Sequence, residues 1–221
     1  MNKDIQEQVR AIKQSFRQLM DGKTAQSMRD KGLDYKLNWG ASIPMLKEKA
    51  KEIATTHHPS PNTHHPSPNT LYDLAIELWK ADVRECKILA TMVMPADDIL
   101  PEVVDIWMEQ IPSQEIAEQA AFNLFQHLPF AAEKAYQWMA SDKEYYQLCG
   151  FHVLTRLFMK GLEPNERGIN EYIDQLLAAL QGPFTSVRKA AMQSAIRFAD
   201  LGLVYKRMAQ SALKSLHLEL L

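Results

Sequence analysis

Only two cysteines occur in 221 residues, Cys86 and Cys149, and both fall inside apolar helical patterns. They can support neither a disulfide framework nor a cysteine-rich zinc site, so two reduced thiols in a cytoplasmic setting are expected. Apolar runs are short: Ile88 to Met94 is among the longest, far below the roughly 20 residues that span a bilayer. No membrane partner is expected, and no leader segment is read at the N-terminus. Walker loops, Gly-x-Gly-x-x-Gly, nucleophile elbows, His-Glu-x-x-His and Cys-x-x-Cys are all absent, which removes the common nucleotide-binding, hydrolase and metalloenzyme signatures. The chain is long enough to bury a full core without metal or disulfides.

Net charge is also small, at −2, but it is unevenly distributed. Residues 1–55 carry eleven Lys/Arg against seven Asp/Glu, residues 71–145 five against fourteen, and residues 146–221 nine against six. Two basic ends flank an acidic middle. A polyanion would be neutralised mainly by the ends.

What the chain has in abundance is helical periodicity, with no convincing period-2 strand. Ile5, Val9, Ile12, Phe16 and Leu19 predict an amphipathic first helix ending near Asp21-Gly22, its Arg10, Lys13 and Arg17 reading as a wet face. Asp34 to Ile43 is irregular, and a helix is expected from about Pro44 to Ala54. Beyond Thr70, helices are expected near 71–80, 83–94, 99–110, 114–127, 129–140, 143–159, 166–181, 185–200 and 204–218. Breaks at prolines and at Gly182-Pro183 give the short links that join antiparallel neighbours.

Four of these helices resemble one another: VRECKILATMVM from Val83, IAEQAAFNLFQ from Ile116, LCGFHVLTRLF from Leu148 and VRKAAMQSAIRF from Val187. Their spacing corresponds to one helical hairpin per repeat, and no such hairpin buries its apolar faces alone. An all-α, α-α superhelix of the HEAT-like solenoid kind is expected, as one domain over 1–221. A solenoid with a complete core needs no second copy, so a monomer is expected.

Several segments resemble the AlkD-type alkylpurine DNA glycosylase family over roughly residues 30–200. They are Gly40-x-x-x-Pro44 entering a Lys-rich helix, Glu77 to Trp79 followed by Arg84-Glu85, Trp138 to Asp142, and Lys189-Ala190. The resemblance implies duplex DNA held in a concave groove and, for an active member, hydrolysis of the N-glycosidic bond of cationic alkylpurines without metal or cofactor. It also implies tryptophans against the lesion's sugar, an aspartate facing the developing positive charge, and an arginine on a phosphate. Matched by hydrophobic pattern, SQEIAEQ puts Gln114 and Glu118 where the Trp and Asp belong; a second register gives Gln110 and Gln114. The arginine position falls on Leu148 and the second tryptophan on Gln193. Glu118 is therefore the one candidate catalytic carboxylate, and glycosylase activity is in question because its expected residues are replaced.

Arg84, Lys87, Arg156, Arg188, Lys189 and Arg197 lie on the helices that line the groove of a HEAT array. With Gln114 and Gln193 they are the candidate nucleic-acid contacts, although Arg84 and Arg188 also occupy a position that often pairs with a neighbouring repeat's carboxylate. Trp79, Trp107 and Trp138 read as core, while Trp39 reads as the aromatic most open to a ligand. Of Tyr145 and Tyr146, at most one faces the groove. His152 lies in an apolar helix without a Cys or acidic partner and reads as a satisfied core histidine. The rival reading is a HEAT-like protein-interaction scaffold without nucleic-acid binding. One stretch stands apart: THHPSPNTHHPSPNT, residues 56–70, repeats a heptapeptide with His57-His58 and His64-His65. Its prolines make it a loop, and it reads as a lengthened surface connection rather than a metal site.

Overall fold

The computed structural model describes residues 3–33, 35–56 and 70–220. Residues 57–69, which hold both histidine pairs, lie outside the described residues. Among the described residues the chain forms twelve α-helices, one 3-10 turn and no strand. It divides into two compact units, Met1–Gln119 and Ala120–Leu221.

The first unit contains α1 (Lys3–Gln18), α2 (Gly22–Asp30), α3 (Ile43–Thr56), α4 (Thr70–Lys80), α5 (Arg84–Val93), α6 (Pro101–Glu109) and most of α7 (Gln114–Asn123). The second contains the 3-10 turn Phe125–His127, α8 (Ala131–Met139), α9 (Glu144–Met159), α10 (Glu166–Gln181), α11 (Thr185–Asp200) and α12 (Leu203–Lys214). Most of these helices begin and end close to where periodicity places them.

The exception is α2. Asp21 does more than end the first helix: its carboxylate accepts hydrogen bonds from the amides of Lys23 and Thr24 at 3.0 and 3.1 Å, which is an N-cap. In α2 only Ala25 is buried, so no apolar stripe marks the helix. Gly40 packs under this corner with φ +78°, and a Cβ there would collide with the Asp21 carbonyl oxygen. Only glycine fits both the angle and the approach. The helix expected over 114–127 also stops earlier, at Asn123, and continues as the 3-10 turn before Pro129.

Core packing follows the apolar faces. In the first unit Trp79 stacks on Trp107 with ring centroids 4.3 Å apart. In the second, Trp138 leans on Phe125, and Phe158, Tyr172 and Phe198 form a mutual cluster. Each such side chain contributes about 1.5–3 kcal/mol on burial. Trp39 corrects the sequence reading: it is 4% exposed, beside Phe16, with its amide donating to the Glu85 carboxylate. The turn holding it is folded into the protein, so its ring is not offered to a ligand. Where α8 and α9 cross, a Cβ on Gly150 would come within 2.6 Å of Met139 Cγ and 2.7 Å of the Ala135 carbonyl oxygen; the missing side chain sets that approach. Among the described residues no helix is long and apolar enough to cross a membrane.

Candidate nucleic-acid interface

In the second unit α9 and α11 lie side by side. Ser186 Oγ donates to Glu144 Oε1 at 2.5 Å, joining the N-terminal ends of the two helices. Further along, His152, Thr155, Arg156 and Met159 of α9 meet Gln193, Ile196 and Arg197 of α11 around a cavity of about 340 Å³, with Phe122 at its edge. Residues 152, 155, 156 and 159 of α9, like 193, 196 and 197 of α11, share a helical face by their spacing.

Three of the eight candidate contacts, Arg156, Gln193 and Arg197, are thus brought together. Their electrostatic states differ. Arg197 donates to Asp200 at 2.9 Å, an exposed pair that contributes little. Arg156 rests on the Phe122 ring, its guanidinium carbon 4.5 Å from the centroid. Among the described residues its one hydrogen-bond acceptor is the Met159 sulfur at 4.0 Å, and its Nε is buried with no partner. A cation whose oxygen acceptors are missing is an incomplete site.

His152 is 8% exposed, with its ring edge-on to Phe122. Burial, reinforced by the neighbouring Arg156 charge, pushes its pKa down to about 4. It is neutral near pH 7, and its Nε2 has no hydrogen-bond partner. The expectation of a satisfied core histidine is therefore corrected in one respect: the residue is core, but it is not satisfied. Sequence reasoning missed Phe122, Thr155, Met159 and Ile196; the available signal was the His152/Arg156 spacing of four residues, which places both on one helical face.

The remaining candidates lie elsewhere. Arg84 is 2% exposed, with its guanidinium donating to Glu115 at 2.8 and 2.6 Å, to the Ala41 carbonyl at 2.8 Å and to Glu85 at 3.1 Å. Every direction a phosphate would need is taken, so Arg84 is structural; it makes the neighbouring-repeat pair that its position suggests. Burial opposes its charge, but the two carboxylates outweigh that and raise its pKa. Lys87 is 7% exposed, donates to the Trp79 carbonyl at 3.2 Å and lies over the Trp79 ring; burial lowers its pKa. It too is withdrawn from the surface.

Arg188 is half-buried and donates to the Gly182 carbonyl and Thr185 hydroxyl at 2.6 and 2.9 Å, tying the α10–α11 link. Lys189 is exposed on α11. Gln114 donates to Glu118 at 2.8 Å on the surface of α7, so the two residues of the family-implied stretch engage each other. Tyr145 and Tyr146 are both half-buried, and Lys143 lies over the Tyr146 ring.

Known proteins share this architecture. A family model described as DNA alkylation repair enzyme matches residues 12–199. Among solved structures, the chain is similar to a protein described as belonging to "a new family of proteins related to the HEAT-like repeat DNA glycosylases with affinity for branched DNA structures". The TM-score is 0.74 at 16% identity, covering 93% of this chain and 82% of that one. The fold is therefore HEAT-like. No curated protein matches the chain in sequence.

Proposed function

The chain belongs to the DNA alkylation repair enzyme family, and from that premise we propose that it binds DNA, with Arg156 gripping a backbone phosphate beside Gln193 and Arg197. One observation carries this reading: Arg156 holds a full positive charge in a recess and, among the described residues, lacks any oxygen to receive its N–H groups. A phosphate oxygen fits that need, since guanidinium–phosphate bonds are charge-assisted and can be bidentate. Neutral His152 can donate or accept through Nε2. Contacts of this type position the protein on nucleic acid without reading sequence.

Base excision is a separate matter. Departure of a cationic alkylpurine leaves positive charge on the sugar, which a carboxylate must face. The residues lining the cavity include no Asp or Glu, so the cleft suits binding without excision, and Glu118 remains the carboxylate through which excision would have to run.

The test is a fluorescence titration of linear duplex and four-way-junction DNA between about 50 and 200 mM salt. Wild-type protein should bind with a clear salt dependence. Arg156→Gln should weaken binding about tenfold to a hundredfold, as expected for loss of a charged hydrogen bond, and make the salt slope shallower by about one. No wild-type binding at low salt would refute the proposal in favour of a protein-interaction scaffold. Methylated DNA should release no base; release abolished by Glu118→Gln in a folded protein would instead make Glu118 the catalyst.

A further inference from the structure

Helix α1 of the first unit carries a charge pattern with no counterpart in the α9–α11 cleft. Lys3, Gln6, Arg10, Lys13 and Arg17 recur at steps of three and four residues, which is one continuous stripe along a helix. Four of the five are cations and none is acidic; Asp4 and Glu7 fall outside the stripe. Among the described residues, none of the four cations takes part in an ion pair. Midway along the stripe, Gln6, Arg10 and Lys13 line a cavity of about 370 Å³ together with Lys80 and Glu77 of α4. Glu77 is already engaged by Lys80 at 2.8 Å, so Arg10 and Lys13 face a cleft whose one carboxylate is occupied.

From this we infer that α1 is a second DNA-backbone contact, in a different unit from Arg156, with Arg10 and Lys13 at its centre. The inference rests on the DNA-binding reading above; the residues matched by the family begin at 12, after Lys3, Gln6 and Arg10. Lys3 to Arg17 rises about 21 Å along the helix, the axial length of roughly six phosphates of one DNA strand. Basic amphipathic helices also settle on membranes, but only with an apolar face to insert. Here Ile5, Ile12 and Phe16, the apolar face of the helix, are buried at 4, 7 and 2% exposure, so that face is turned into the protein. A rigid polyanion matches a straight stripe of cations outside any ion pair.

The experiment uses the full chain, the same two DNAs and the same salt series. Arg10→Gln/Lys13→Gln should weaken binding and make the salt slope shallower by about two, one for each phosphate no longer neutralised. The conservative pair Arg10→Lys/Lys13→Arg should retain the wild-type slope. Lys23→Gln/Lys31→Gln removes the same net charge from exposed positions off the stripe and should have little effect. An unchanged slope in Arg10→Gln/Lys13→Gln, or an equal loss in Lys23→Gln/Lys31→Gln, overturns the inference while leaving Arg156 untouched. Failure of wild-type protein to bind either DNA overturns both readings, and weakening only in Arg156→Gln overturns this one alone.

Discussion

Glu115→Ala should be among the most damaging single substitutions in the first unit. Arg84, whose side chain is 1% exposed, would keep its charge and lose both bonds to Glu115, at 2.8 and 2.6 Å. The Tyr35 hydroxyl, which also donates to Glu115, would retain Ser113 as its partner. Removing one member of a buried pair typically costs about 3–5 kcal/mol. Two features favour the lower end: Glu85 stays at 3.1 Å from Arg84, and the Glu115 side chain is 18% exposed, so water can enter. With an unfolding entropy of about 2.1 cal/mol/K per residue, a loss of about 3 kcal/mol lowers Tm by about 6 °C if the whole chain melts together and about 12 °C if the first unit melts alone.

The pH dependence of this effect has a fixed sign. Burial by itself would raise the Glu115 pKa, but the hydrogen bonds and charge of Arg84, with the Tyr35 hydroxyl, outweigh it and hold the pKa below its ordinary value. A carboxylate with a depressed folded pKa stabilises fully above its unfolded value of about 4.3, and this contribution fades as pH falls through the lower folded value. The gap in Tm between wild type and Glu115→Ala, measured by circular dichroism, should therefore be wide at pH 7 and close below about pH 4. A shift under about 2 °C at pH 7, or a gap indifferent to acid, would refute the reasoning.

Three further outcomes are expected. His152 has its folded pKa depressed to about 4 from an unfolded value of about 6.5, so its contribution is complete above about pH 6.5 and lost progressively down to about pH 4. Urea unfolding should show wild type losing about 2 kcal/mol more than His152→Gln between pH 7.5 and pH 5. Gly150→Ala gains about 1 kcal/mol of helix propensity but forces a Cβ against the Ala135 carbonyl, so net destabilisation of about 1–2 kcal/mol is expected by the same assay. Trp79→Leu opens space against Trp107 and orphans the Gln110 oxygen that accepts from Trp79 Nε1 at 2.8 Å; urea unfolding should register a loss of about 3 kcal/mol.

Helices were legible wherever an apolar stripe marks them. The helix α10 is an instance: Asn165 caps it, accepting from the Gly168 amide at 2.8 Å, and Tyr172, Leu176 and Ala179 mark its buried face. The helix α2 was hidden because its stability comes from the Asp21 cap and from the turn at Gly40, and neither leaves a periodic trace. Trp39 misled for a related reason. Beside Asn38 and Gly40 it looks like loop, but Glu85, 46 positions away, collects the turn's amides, and no local pattern encodes a distant carboxylate acting as a backbone acceptor.

The candidate site was legible only in its raw material, and the arginines show why. Arg84 and Arg188 stand in the first turns of their helices, and each donates to a carbonyl outside its own helix: Arg84 to Ala41, 43 positions away, and Arg188 to Gly182 in the link before α11. Arg156 and Arg197 stand in last turns, and both line the cavity between α9 and α11. In sequence all four are helical arginines, and nothing in the residues directly beside them ranks them. Tertiary partners do: Arg84 and Arg188 are held by carbonyls beyond their own helices, whereas Arg156 and Arg197 line the cavity. Arg197 then finds Asp200 three residues on, whereas the residue three beyond Arg156 is Met159, whose sulfur is a weak acceptor. The residue three places on thus separates Arg156 from Arg197, and Asp200→Asn should test it. Releasing Arg197 from its pair should tighten DNA binding in the titration, and an unchanged or weaker affinity would show that Arg197 takes no part in the cleft's charge.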